Sequence, residues 1–501
     1  MRFQSTVKPL AFVVLVAMGS SHAWASGYHF GTQSVTAQST ANAAGAEAAD
    51  ATTIFTNPAG LSKLDSHQIT GAVNAVMPTI EYSNAQANHI GTERLPTGAV
   101  AVSGSTSGKI TKNTVVAPHV YGAYKLSDDV TLGLGVYVPF GSETEYQKDS
   151  VLRYNMNRLG LKTIAIEPTI AFKANEQHAF GVGVVAQHTS AKLRKYADWG
   201  TASALTAANA VAQARANLAS AQASGDATAI VAAGQALQAA GSAYQAAAAN
   251  VGKVEGYAKL KGDDWGVGYH LGYLYDINDK ARVGINYRSK VKHKLEGTAN
   301  WQSDSLPASV LAQFDAAGYK ASEKARVEII TPESASLQGM YRASDRVNLF
   351  GDVTWTRHSR FKEANLLFEN KKNGTRDTTT ITPNWRNTYR VALGGSYQHS
   401  EPLQLRAGVA FDQSPVRNAS YRMNTLPDGN RVWFSLGGKY SFKKRHEIDL
   451  AYSHIHINDT RNSSAAADLT NIKSVDTKGA SSANFKNYAN IVGAQYTYRF
   501  K

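Results

Sequence analysis

The sequence predicts an all-β fold, a transmembrane antiparallel β-barrel of about 14 strands, and three observations carry that expectation. Apolar residues recur at every second position in runs of about ten residues, the length that a tilted strand needs to cross a bilayer. Short connections alternate strictly with long ones, as they do where periplasmic turns face external loops. The chain is 43% hydrophobic and only 18% charged, yet no apolar run reaches the roughly 18 residues of a spanning helix. A mean hydropathy of -0.31 is likewise too polar for a helical membrane protein. Length alone suggests about three domains, but one large barrel accounts for it. The absence of cysteine excludes a disulfide scaffold, a thiolate zinc site and a cysteine nucleophile.

The first element is a secretory signal, residues 1–25. Arg2 and Lys8 form a positive start, residues 10–18 an apolar stretch too short to span, and Ala23-Trp24-Ala25 a small-x-small cleavage site. Removing those two basic residues from a net charge of +14 leaves +12. In an exported protein this basic balance points to anionic lipid or an acidic ligand rather than nucleic acid.

Residues 26–66 come next and lack the two-residue period. They are rich in Ala, Ser and Thr, carry few charges, and hold short apolar clusters (Ile54-Phe55, Leu61). The composition favours a hatch or plug folded into the lumen over a disordered periplasmic tail.

The barrel proper is expected over 67–501. Its strands are placed near 67–79, 113–126, 130–140, 163–173, 179–196, 257–276, 281–297, 326–342, 346–359, 386–399, 403–413, 430–442, 446–458 and 485–500. Val130, Leu132, Leu134 and Val136, for example, alternate with Thr131, Gly133 and Gly135, the half-buried signature. Closing the sheet leaves no strand edge unpaired, which lipid requires. Tyr121, Tyr124, Tyr137, Tyr273, Tyr275, Tyr440, Tyr496 and Tyr498 lie towards strand ends, as interfacial girdles do. Phe500 closes an alternating strand like the assembly signal of outer-membrane proteins, although Lys501 follows it.

One loop, 197–256, is different in kind. Between 201 and 250, 23 of 50 residues are Ala, so the loop is helical by propensity. Ala204, Val211 and Leu218 are spaced by seven, as are Ile230, Leu237, Tyr244 and Val251, with Gly225-Asp226 as a turn between them. That spacing predicts two helices in a hairpin with facing apolar seams. Two readings are open: a self-contained helical spike, or a hydrophobic landing surface at the barrel mouth.

Several blocks carry a family resemblance. Asn57-Pro58-Ala59 ends the N-terminal segment. Residues 265–269, 287–291 and 389–394 form recognisable strand blocks. The most specific stretch is Gly408-Val409-Ala410-Phe411-Asp412-Gln413-Ser414-Pro415-Val416, followed by 426–435 with Leu426-Pro427-Asp428-Gly429. In this order they resemble the FadL family (OmpP1/FadL/TodX type), outer-membrane transporters of long-chain fatty acids and other hydrophobic compounds. The resemblance implies a 14-stranded barrel occluded by a hatch, with Asn57, Pro58 and Ala59 as the hatch motif. It implies an apolar groove near the external loops, a deeper pocket, and an inward kink of the third strand that opens the wall laterally. Pro139, Phe140 and Gly141 end that strand here. Pro lacks the ladder donor, so they mark either a kink or an ordinary strand end.

By the same resemblance Lys195, with its neighbour Arg194, falls on a basic position that meets the ligand head group. The other reading is that these bases bind lipopolysaccharide phosphates or are solvated. A second ligand lysine of the family aligns near Ile381, so the head-group site is reorganised or the ligand is neutral. Asp412 and Arg431 are expected either to anchor the hatch from the lumen wall or to pair strand to strand.

No enzyme is expected. No G-x-S-x-G occurs, since Gly104-Ser105-Thr106-Ser107-Gly108 carries Thr at the centre, and His454-x-His456 has no third metal ligand nearby. No cofactor or metal is implied. The expected function is passive transport of fatty acids or other hydrophobic compounds across the outer membrane of a Gram-negative cell. A porin-like or adhesin-type barrel is the alternative. Expected partners are the hydrophobic ligand, outer-membrane lipid or lipopolysaccharide and the barrel assembly machinery, with no nucleic acid and a monomeric state.

Overall fold

The computed structural model describes residues 29–500, apart from 97, 112–113 and 304–305. The signal segment and its cleavage site lie outside the described residues. The wall strands are β1 (Gln68–His89), β2 (Val115–Lys125), β3 (Val130–Glu145), β4 (Met156–Lys173), β5 (His178–Ala197) and β6 (Gly256–Asn278). Four interrupted strands follow: β7 (Ala281–Arg288, Val291–Gln302), β8 (Ser322–Thr331, Ser334–Arg342), β9 (Val347–Thr356, Ala364–Lys372) and β10 (Arg376–Ile381, Thr388–Gln398). The wall ends with β11 (Leu403–Asp412), β12 (Arg431–Phe442), β13 (His446–Ser464) and β14 (Lys478–Arg499). Each pairs antiparallel with the next, and β1 pairs with β14 from Gln68↔Arg499 to His89↔Lys478, so the 14 strands close.

The wall is inverted relative to a water-soluble core. Leu134, Val184, Val267, Leu337, Leu393, Leu436 and Leu450 are exposed on the outside. Their alternating neighbours, among them Asn74, Gln187, Gln338, Arg406, Ser453 and Gln495, are buried towards the lumen. This is the apolar-out, polar-in pattern of a barrel in lipid. Tyr124, Tyr440 and Tyr496 join the outer face. Tyr121 and Tyr137 do not: both are fully buried on the inner face, which corrects their placement in the girdle. Sequence position near a strand end does not settle which face a side chain takes.

Many strands run well past the membrane-crossing length. β1 reaches His89 and β3 reaches Glu145, beyond the sequence-based ends at 79 and 140, because their outer ends lose the apolar alternation. Short helices α1 (Val35–Gln38) and α2 (Thr53–Thr56) lie within the lumenal segment, and α3 (Trp199–Ser224) and α4 (Ala227–Ala248) form the hairpin. Asp198 caps α3 by accepting from Thr201 N, Gly225 ends it at φ 71°, and Asp226 caps α4. With a rise of about 1.5 Å per residue, this arm is about 39 Å long. A last helix, α5 (Ala308–Ala316), sits between β7 and β8.

Candidate functional site

Residues 29–66 pack inside the barrel, against β12–β14 through α1 and against β4–β6 through the 3₁₀ turn Pro58–Lys63. Asn57 begins that turn and is fully buried. Its Oδ1 accepts from Ala59 N at 3.1 Å, and its Nδ2 donates to Gln338 Oε1 (3.0 Å), Tyr273 O (3.2 Å) and Ile285 O (3.3 Å). Pro58 occupies the first turn position, where its missing N–H costs no bond. Wall glycines let the turn approach: a Cβ on Gly181 would overlap the Pro58–Ala59 peptide, and one on Gly272 would lie 2.7 Å from Pro58 Cδ.

The wall holds this segment through a set of arginines. Arg406 makes two bonds to the Glu47 carboxylate, 2.7 and 2.8 Å. Arg282 donates to the carbonyls of Ala46 and Glu47, Arg288 to Phe55 O, Arg390 to Ala41 O and Arg499 to Ala49 O. Lys63 pairs with Asp276 at 2.5 Å. Asp50 is buried and accepts from Thr36, Thr52 and Gln495. Burial pushes its carboxyl up, but Lys439 and the bonds from Thr52 and Thr36 more than offset this and hold it below the ordinary carboxylate value. Sequence reasoning missed this arginine set. The available signal was the recurrence of Arg at inward positions of strands that are otherwise small and polar.

Asp412 and Arg431 face each other across β11 and β12, with Arg431 Nη1 3.9 Å from Asp412 Oδ2, and Arg431 also bonds Asp428. Asp412 lines a polar lumenal cavity of about 110 Å³ that also borders His29, Asn42 and Arg390.

At Pro139 the strand is irregular, although it stays paired with β4 on both sides. The β2–β3 ladder ends at Val120↔Val136, and a register shift falls between Tyr137 and Phe140. Tyr137, Val138 and Phe140 are then all buried, so alternation has ceased. The vacated hydrogen bonds go to the lumenal segment: Phe30 N donates to Pro139 O (2.8 Å), Gln33 Nε2 to Val138 O (2.6 Å), and Val138 N to Gln33 Oε1 (3.1 Å). Tyr121 Oη donates to Gln33 O at 2.8 Å. Among the described residues, β2 and β3 are not joined by ladder bonds outward of Val136, and the next bond across is Glu145 N to Ile110 O at 2.9 Å.

Beside this break lies a packed apolar cluster of buried side chains that includes Phe140, Tyr146, Leu152, Trp385, Leu426 and Phe485. Further out, a groove of about 780 Å³ runs between α3, α5 and the loop before β14, lined by Trp199, Leu205, Phe314, Tyr319, Leu469 and Ile472. The two bases singled out near it are engaged. Lys195 is ion-paired with Asp476 on the groove floor. Arg194 lies 3.0 Å from Glu145 Oε1 and donates to Asn157 Oδ1 at 2.5 Å.

Comparison with known proteins agrees with this architecture. A family model described as outer membrane protein transport protein (OMPP1/FadL/TodX) matches residues 16–500. An outer membrane protein of Neisseria meningitidis serogroup B is 56% identical over 505 residues, 99% of each chain. The long-chain fatty acid transport protein of Escherichia coli K12 is 26% identical over 457 residues, 89% of this chain and 91% of the relative. The crystal structure of a Pseudomonas aeruginosa FadL homologue superposes with a TM-score of 0.76 at 22% identity, covering 95% of this chain and 100% of the other. The closed barrel, the occupied lumen and a match along almost the whole chain lead to one conclusion: this protein belongs to the OMPP1/FadL/TodX family of outer-membrane transport proteins.

Proposed function

We propose that the chain carries hydrophobic molecules passively across the outer membrane and releases them sideways through the β2–β3 break. The external groove adsorbs the molecule, the apolar cluster around Phe140 and Trp385 parts to take it next, and residues 29–66 act as the hatch. Named relatives transport long-chain fatty acids or, in Pseudomonas putida, toluene, and both kinds of molecule suit a groove lined by Trp199, Leu205, Phe314 and Ile472. The observation that carries this reading is the exchange of ladder bonds at Val138 and Pro139 for bonds to Phe30 and Gln33. A wall strand bonded to a lumenal segment is released when that segment moves. The substitution Gln33→Ala removes two of those bonds, about 1–3 kcal/mol together. Uptake of radiolabelled fatty acid and of labelled toluene by cells lacking the native protein should rise on expressing the wild type and change by severalfold with Gln33→Ala. Equal uptake of every hydrophobic probe with and without the protein, alongside free passage of small hydrophilic solutes, would favour the porin reading instead.

A further inference from the structure

The outward face of β5–β7 changes character towards the loop end of the wall, the end that faces outside in outer-membrane barrels. On β6 the outward side chains Tyr269, Val267 and Trp265 are apolar or aromatic, and Val267 is 69% exposed. Ser289 N donates to Tyr269 O at 2.9 Å, and Lys294 N to Asp264 Oδ2 at 2.7 Å, so residues 290–293 of β7 run beside that lipid-facing stretch. Lys290, Lys292 and Lys294 are exposed there, while Val291, His293 and Leu295 between them are buried. Three ammonium groups therefore stand at the border of the apolar belt, on side chains long enough to snorkel to the headgroup level. Glu328 pairs with Lys292 at 2.8 Å, but among the described residues Lys290 and Lys294 make no ion pair.

A second basic group lies farther along. Lys192 on β5 and Lys261 on β6 are directly opposite each other, both exposed and neither ion-paired among the described residues. Like charges so placed destabilise a ladder, and an anion between them reverses the effect. Lys261 sits beside Thr298, four residues beyond Lys294, so this pair stands about 13 Å nearer the loops along the strand. Between the two groups Asp263 and Glu296 face each other, Asp263 taken by His188 at 3.2 Å and Glu296 opposite Arg326 of β8. The far side of the barrel has no such surplus: there exposed Glu81 of β1 lies directly opposite Lys486 of β14.

We infer that this face holds a lipopolysaccharide molecule of the outer leaflet. A lipid whose saccharide head is long and carries several negative charges matches two basic groups at different distances from the apolar belt. Its acyl chains lie against Val267 and Tyr269, and the phosphate next to them meets Lys290 and Lys294. Acidic groups farther along the saccharide bridge Lys192 and Lys261. Asp263 and Glu296, in between, accept from sugar hydroxyls. A phospholipid carries its phosphate close to its acyl chains and reaches the first group alone.

The test uses the full mature chain in detergent, with a chelator present so that no divalent cation bridges carboxylate to phosphate. Native mass spectrometry reads the retention of a short-chain lipopolysaccharide, of lipid A without the acidic sugars, and of phosphatidylglycerol. Lipopolysaccharide should be held about tenfold more tightly than lipid A, and lipid A more tightly than phosphatidylglycerol. Lys290→Gln combined with Lys294→Gln should weaken both glycolipids about tenfold. Lys192→Gln combined with Lys261→Gln should bring lipopolysaccharide down to the level of lipid A and leave lipid A unchanged. Lys486→Gln, on the far side, should alter neither. Heat-modifiable gel mobility identifies the folded form of each variant, and only folded protein is compared. Phosphatidylglycerol held as tightly as lipopolysaccharide overturns the inference, and so does either double variant that binds lipopolysaccharide as the wild type does. No uptake is measured, so the transport reading stands or falls separately.

Discussion

The pair between Glu47 and Arg406 offers a direct measure of how firmly the hatch is held. Glu47 belongs to the lumenal segment and Arg406 to β11, 359 residues later. The side chains are 11% and 1% exposed, and two short bonds join them. Glu47→Gln keeps the shape but removes the charge, leaving a buried guanidinium without its counter-ion. Breaking one partner of a buried pair costs about 3–5 kcal/mol, or two to three and a half decades in an equilibrium constant. The other anchors remain, so the hatch stays mostly closed and the loss appears as more frequent opening. Hydrogen exchange read by mass spectrometry should show amides at 41–50 exchanging about a hundredfold faster or more. Amides of β11 and β12, which belong to the wall ladder, should not change. Adding Arg406→Gln should recover part of the loss, because the orphaned charge is then gone. Exchange at 41–50 within about threefold of wild type, with the variant folded, would refute the claim that this pair holds the hatch.

Other expectations follow from the same geometry. Asn57→Asp places an anionic oxygen where an amide now donates towards three oxygens. It should loosen the hatch by about 2–4 kcal/mol, seen as faster proteolysis within 40–60 while the barrel keeps its heat-modifiable mobility on gels. Asp50 has a lowered pKa in the folded state, so its contribution is complete above the unfolded value of about 4 and is lost as pH falls through the lowered one. The protection factors of hatch amides should therefore be flat from pH 7 to 5 and fall below about pH 4, and Asp50→Asn should flatten that acid limb. Gly181→Val puts a side chain into the Pro58–Ala59 peptide. It should displace the turn, and single-channel recordings should show conductance steps that the wild type lacks; quiet recordings from a folded variant would argue against that contact.

The barrel was legible because its physics is local. A strand between lipid and lumen must alternate, and a turn such as Ser127–Asp129 must be short, so strand number and hairpin ends can be read within a window of about ten residues. The interruptions in β7–β10 were harder to see. The breaks at Ser289-Lys290 and Pro332-Glu333 are brief, and strand-like residues resume after each. What holds the hatch is not local at all. Gln495 reaches Asp50 across 445 residues, and nothing near either residue announces the other. Lys195 shows a different limit: aligned position suggested a ligand base, but Asp476 in a distant loop decides what that ammonium faces. The polar cavity, assembled from six strands and the hatch, has no linear signature.

The proline at position 139 has a consequence for how this protein can vary. Because Pro139 offers no N–H and the neighbouring groups bond to Phe30 and Gln33, the weak seam in the wall is sewn with thread from the hatch rather than from the sheet. On the proposed lateral route, the work of parting that seam is set by a few residues near the N-terminus, while the endurance of the cylinder is set by its other ladders. The two quantities can drift independently, so a lineage could retune permeability by single changes between positions 29 and 33 without endangering assembly in the membrane.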